Sequence, residues 1–113
     1  MKVLFIGGGN MAHAILGGLL AQGSQARNFC VVEPVQETRH RISALGVTAD
    51  DRVTNDMLDC DAIVLAVKPQ MMREAITPIA SRLKSQTVIS IAAGVGIASI
   101  GQWLGDGITP YEN

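Results

Sequence analysis

Three consecutive glycines stand immediately after a short apolar run: Val3-Leu4-Phe5-Ile6 leads into Gly7-Gly8-Gly9 and then Asn10-Met11-Ala12. The apolar run reads as a buried strand. From Asn10 onward, Met11, Ile15 and Leu19 recur at helical spacing, so the glycines form the turn of a strand–loop–helix unit in the pattern G-x-G-x-x-A. Each position has its own physical task. Gly7 permits the tight turn, Gly9 lets a pyrophosphate approach the backbone, and Ala12 allows the helix to pack closely on the strand, while the free N–H groups of the first turn face the anion. A glycine-rich turn that binds nothing would show the same letters. The register of strand, motif and helix favours dinucleotide binding.

Further apolar runs at Phe29–Val32, weakly at Gly46–Ala49, at Ala62–Val67 and at Thr87–Ala92 alternate with longer amphipathic stretches. Continuous Val- and Ile-rich runs of this kind suit parallel strands covered on both faces, so the expected fold class is α/β, a doubly wound parallel sheet of Rossmann type. The first helix is expected over Asn10–Gln22, closed by Gly23. A second should run from Pro34 to Gly46 with Val35, Ile42 and Leu45 inward, and a short third over Asp51–Leu58. A fourth, opening at Pro69, should bury Met72, Ile76, Ile79 and Leu83 and be kinked or divided by Pro78. The last is expected over Gly96–Leu104, with Ile97, Ile100 and Leu104 on one face.

Composition excludes several classes of function. With 113 residues, 48% hydrophobic and 17% charged, the chain has the balance of one compact domain. Its net charge of −1 and scattered basic residues give no footprint for nucleic acid or an anionic membrane. The N-terminal apolar run is too brief for a secretory signal and no run approaches a membrane span, so a cytoplasmic location is expected by default. Cys30 and Cys60 lack the spacing of a metal or redox motif and read as small, buried or half-buried residues. His13 and His40 have no second ligand or carboxylate at a useful spacing, so no metal site is expected. Met71-Met72 reads as the edge and core of a helix.

The remaining candidates sit at strand ends, where ligands bind in this architecture. Glu33 closes the second strand, where a carboxylate accepts hydrogen bonds from the adenosine ribose and repels a 2′-phosphate, so taken alone it favours NAD over NADP. It could equally be a solvated loop residue, and nearby Arg39 could still meet a phosphate. Ala66-Val67-Lys68-Pro69 ends the fourth strand and Ile91-Ala92-Ala93-Gly94 the fifth, and the small residues leave room for a flat ring. Lys68 reads equally as an electropositive neighbour of the ligand or as a surface lysine before a helix.

The run FIGGGNMAHAILGGL, the later LAVKPQ and the following SIAAGV together resemble the N-terminal domain of pyrroline-5-carboxylate reductases, with order and spacing kept over about residues 1–105. The resemblance implies hydride transfer from NADPH or NADH to the imine carbon of 1-pyrroline-5-carboxylate, yielding L-proline. It assigns the pyrophosphate to Ile6, Gly7, Gly8, Gly9, Asn10 and Met11, and the adenosine ribose to Glu33. Ala66, Val67, Lys68 and Pro69 would line the nicotinamide side, and Ala92 with Ala93 the nicotinamide or substrate edge. No catalytic residue is assigned. Family members commonly carry small polar residues near position 33, and Glu33 departs from that, against the usual NADPH preference.

In that family the chain continues with a further strand, an MPNTP segment and a helical domain that forms the dimer and grips the substrate carboxylate. Residues 106–113 do not resemble that continuation and read as an atypical tail. The expectation is therefore a cofactor-binding fragment, monomeric and inactive by itself, from a full-length homo-oligomer. Two other readings stay open: another oxidoreductase of the 6-phosphogluconate-dehydrogenase-like plan, and a non-catalytic dinucleotide-binding module.

Overall fold

The apolar runs form the strands of one parallel sheet in a computed structural model that describes residues 2–90 and the backbone of 109–112. The strands are β1 (Val3–Ile6), β2 (Phe29–Val32), β3 (Thr48–Asp50), β4 (Ala62–Leu65), β5 (Thr87–Ser90) and β6 (Thr109–Glu112), in the order β3-β2-β1-β4-β5-β6. Register is direct across the centre: Val3 pairs with Phe29 on one side and Ala62 on the other, and Ile6 with Val32 and Leu65.

Side chains alternate between two cores because successive strand residues face opposite sides. Leu4, Ile6, Ile63, Leu65 and Val88 enter one core, and Phe5, Val31 and Val64 the other. The first core is closed by Met57 and Leu58 of α3 (Asn55–Leu58), by Met72 and Ile76 of α4 (Met72–Ile76), and by Ile79. Ala12 and Leu16 of α1 (Asn10–Ala21) and Ile42 of α2 (Gln36–Ser43) close the second. Helices thus cover both faces, and the winding reverses between β1 and β4. Ligands bind at the carboxyl ends of strands at such a reversal.

Several boundaries differ from expectation for local reasons. On α1 the fully buried residues are Ala12 and Leu16, one position on from the Met11–Ile15–Leu19 stripe, and Met11 is 57% exposed. Small Ala12 is what lets this helix lie close on β1. In α2, Val35 does not point inward: it is the N-cap residue, 53% exposed, and Pro34 lies before the helix. Here the strand-end Glu33 claims the Val35 N–H, so the helix begins two residues past the proline. Residues 51–54 form a loop rather than the first turn of α3, and Pro69–Met71 form a separate 3-10 turn ahead of α4. Pro78 does divide the fourth segment, with a second 3-10 turn over Ala80–Arg82, while Leu83 is only partly buried.

The backbone of Thr109–Glu112, set apart as tail in the sequence, pairs in parallel with β5. The expected helix over Gly96–Leu104, the end of the fifth run and residues Ala92 and Ala93 lie outside the described residues. Among those described, no helix is long and apolar enough to cross a membrane.

Candidate functional site

The three glycines leave β1 at the point where the sheet reverses, and each is glycine for a different reason. Gly7 has φ +102°, and a Cβ there would stand 2.7 Å from the Ala66 carbonyl oxygen. Its N–H donates to the Val32 carbonyl at 2.8 Å, and Ala66 N–H to Ile6 at 2.8 Å, so β1, β2 and β4 are tied together just beneath the loop. Around Gly8, a Cβ would press on Val31, the Glu33 Cβ and Ile42 at 3.1–3.3 Å. Gly9 is different. Its φ of −72° suits any residue, and a Cβ there would meet no described atom within 4 Å. Among the described residues neither backbone nor packing asks for glycine at this position, and the main chain there is open to approach.

Glu33 folds back onto this loop. Its Oε1 accepts from the Gly8 N–H and its Oε2 from the Val35 N–H, both at 3.0 Å. Arg39 does not turn toward that carboxylate: its Nη1 donates to the carbonyls of Glu33 at 2.9 Å and Pro34 at 2.8 Å. The strand end is thereby held from both sides, and each carboxylate oxygen keeps a lone pair for a hydroxyl partner. At the mouth of the loop, Asn10 Oδ1 accepts from Arg41 Nη1 at 3.1 Å. Helix α1 begins without a side-chain cap or an acidic residue in its first turn, so no described side chain takes up its leading N–H groups.

Beside the loop lies a mostly apolar cavity of about 370 Å³, lined by Ile6, Gly7, Pro34, Val53, Val67 and Met71, with Asp51, Arg52 and Glu74 at its polar parts. Its size suits a flat heteroaromatic ring with its sugar. The structure therefore brings together Ile6, Gly7, Gly8, Glu33, Ala66 and Val67. Lys68 and Pro69 are exposed and do not line this cavity of the described residues; Lys68 is the N-cap of the turn that follows β4. Sequence reasoning missed Asp51-Arg52-Val53 and Met71. The first three follow β3 at its carboxyl end, the same positional signal that singled out Glu33 after β2. Met72 is core as expected, whereas Met71 is 46% exposed and lines the cavity.

The cysteines lie toward the opposite end of the sheet, with Lys2 and Asp59. Burial pushes the Cys60 thiol up to about 11, with the Asp61 carboxylate adding to the effect. The Cys30 thiol is raised as well, chiefly by burial.

Residues 2–94 match the model of a family described as NADP oxidoreductase, coenzyme F420-dependent. The pyrroline-5-carboxylate reductase of Pseudomonas aeruginosa is 42% identical over 108 residues, covering 92% of this chain and 39% of that protein. A solved pyrroline-5-carboxylate reductase from Coxiella burnetii superposes with a TM-score of 0.92 at 32% identity, over 98% of this chain and 42% of the other. The pyrroline carboxylate reductase of Plasmodium falciparum, solved with NADP bound, gives a TM-score of 0.75 at 25% identity over 96% and 40% of the two chains. The chain thus spans about two fifths of the length of the curated relatives it matches.

Proposed function

The chain belongs to the family described as NADP oxidoreductase, coenzyme F420-dependent, and we propose that it is the dinucleotide-binding domain of a pyrroline-5-carboxylate reductase. Residues 1–105 carry that domain, and the strand over Thr109–Glu112 extends its sheet beside β5. The reaction is reduction of 1-pyrroline-5-carboxylate to L-proline in the cytoplasm by a homo-oligomeric enzyme. Gly9 supports the cofactor half of this reading, because it stands in the glycine motif at the start of α1 and leaves the main chain open to a ligand's approach. The substrate half is supported by the relatives' names together with the order of the three motifs.

NADH or NADPH, when bound, supplies the hydride. This chain's own residues bind and orient. The loop from Ile6 to Met11 would hold the diphosphate against the first turn of α1, and Glu33 the adenosine ribose. The apolar cavity between Pro34, Val53 and Met71 would take the adenine. Ala66 to Pro69, with Ala92 and Ala93, would line the nicotinamide side, where small residues let a flat ring lie close and keep water out.

Glu33 also selects between cofactors in this reading. Both its oxygens are pinned by backbone N–H groups, and Arg39 is engaged by two carbonyls. A 2′-phosphate would meet a fixed carboxylate, whereas a 2′-hydroxyl would meet an acceptor, so NADH should bind better than NADPH. Calorimetric titration of the chain with each cofactor tests both steps. Tighter binding of NADH supports the full reading; equal or reversed affinities remove Glu33 as selector, and no binding of either removes the site.

A further inference from the structure

Arg41 stands on α2, outside every motif of the glycine loop, yet it is the basic side chain that reaches the loop's mouth. It is exposed, and no carboxylate pairs with it among the described residues. Its Nη1 donates to the side-chain Oδ1 of Asn10, 31 positions away in sequence, at 3.1 Å. A guanidinium has donors and no acceptor, so this contact fixes the Asn10 amide with its oxygen toward Arg41 and its NH₂ away from it. The pair then presents donors outward, from Asn10 Nδ2 and from the remaining guanidinium N–H groups. Asn10 opens α1 directly beside Gly9, where a Cβ would meet no described atom within 4 Å. The two arginines of α2 thus differ. Arg39 spends its guanidinium on the carbonyls of Glu33 and Pro34, while Arg41 makes one contact and retains an uncompensated charge.

We propose that Arg41, oriented through Asn10, is a ligand of the dinucleotide's diphosphate and clamps it against the first turn of α1. The proposal rests on the dinucleotide reading above and adds to it a cation that the glycine motif does not contain. A planar guanidinium suits a phosphate because it offers parallel N–H groups and stays charged at every working pH. In the dinucleotide reading the ribose belongs to Glu33 and the diphosphate to the loop that Asn10 closes, so the diphosphate is the group that falls to Arg41.

Calorimetric titration of the chain with ADP-ribose and with adenosine, for the original, Arg41→Gln and Arg41→Lys, tests this. Arg41→Gln should bind ADP-ribose about tenfold more weakly, the equivalent of about 1.4 kcal/mol. Arg41→Lys should recover part of the loss, adenosine affinity should not change, and the urea unfolding midpoint should stay in place. Raising the salt concentration should weaken ADP-ribose binding more steeply in the original than in Arg41→Gln. An Arg41→Gln variant that binds ADP-ribose as well as the original overturns the proposal. So does an equal loss for adenosine, which would make Arg41 a brace between α1 and α2. If the original chain binds neither ADP-ribose nor NADH, the dinucleotide reading itself falls and the role of Arg41 with it.

Discussion

At the amino end of the sheet the chain satisfies its own polar groups, whereas at the carboxyl end it satisfies those of Gly7, Gly8, Val35 and Arg39 and leaves others, at the start of α1 and on Arg41, without a partner in the described chain. Lys2 N–H donates to the Asp61 carboxylate at 2.7 Å, Asp61 N–H returns to the Lys2 carbonyl at 2.8 Å, and Thr87 N–H reaches the Asp61 carbonyl at 3.1 Å. Gln86, buried, donates to the Leu58 carbonyl at 2.6 Å and accepts from the Lys84 N–H at 2.7 Å. Around the glycine loop, α1 starts without a side-chain cap, as the other described helices do, and Arg41 is exposed with one hydrogen bond, to Asn10 Oδ1. Buried polar groups are costly unless paired, so a closed end stabilises the fold, and an end that leaves N–H groups to an outside partner serves a ligand.

Substitutions at the two ends should therefore separate stability from binding. The largest effect is expected for Gly7→Ala, which combines a positive φ with a Cβ 2.7 Å from the Ala66 oxygen. Urea unfolding should show a loss on the order of 3 kcal/mol, enough to threaten a domain of ordinary stability. Gly9→Val should behave oppositely, keeping the unfolding midpoint while weakening NADH binding by about a hundredfold or more, the equivalent of about 2.8 kcal/mol. If Gly9→Val unfolded the chain as Gly7→Ala does, the division of labour within the loop would be lost.

At the amino end, Gln86→Leu should cost about 1–3 kcal/mol of stability by stranding the Leu58 carbonyl and the Lys84 N–H. Cofactor affinity should not move, and a parallel loss of binding would show the two ends to be coupled. Glu33→Ser should shift the NADH to NADPH affinity ratio toward NADPH by about tenfold, or about 1.4 kcal/mol. An untouched ratio would leave Glu33 as a loop brace alone.

The smallest effect concerns Cys60. Its thiol holds the proton to about 11 in the folded chain against an ordinary value of 9.0, so the folded state binds the proton more tightly. The resulting stability is fully present below 9 and is lost as pH rises from there through 11. Cys60→Ser should flatten that alkaline decline in the urea midpoint, and an unchanged slope would show that the thiol contributes nothing to it.

The strands and the glycine loop were legible in the sequence because their signals are local: apolar runs ended by glycine or proline, and a motif whose register with strand and helix carries its meaning. What escaped depends on contacts between distant segments. Val35 looked like a buried helix residue, but the Glu33 carboxylate takes its N–H and moves the helix start. Residues 51–54 read as the start of a short helix over Asp51–Leu58, yet they form a loop whose Asp51, Arg52 and Val53 line the cavity. Thr109–Glu112 contains a proline that weakens any strand pattern, and here its backbone pairs with β5 alone, where a missing N–H is tolerated. Arg41 left no local signal at all, since its partner Asn10 lies 31 residues away.

The most direct test of a ligand site at the carboxyl end is to follow the backbone amides of the chain by heteronuclear NMR as NADH is added. Shifts should concentrate at Gly8, Gly9, Asn10, Met11, Glu33 and Val35, with Lys2, Asp61 and Gln86 unmoved. Shifts centred on the amino end, or none at saturating NADH, would contradict the assignment of the glycine loop as a dinucleotide site.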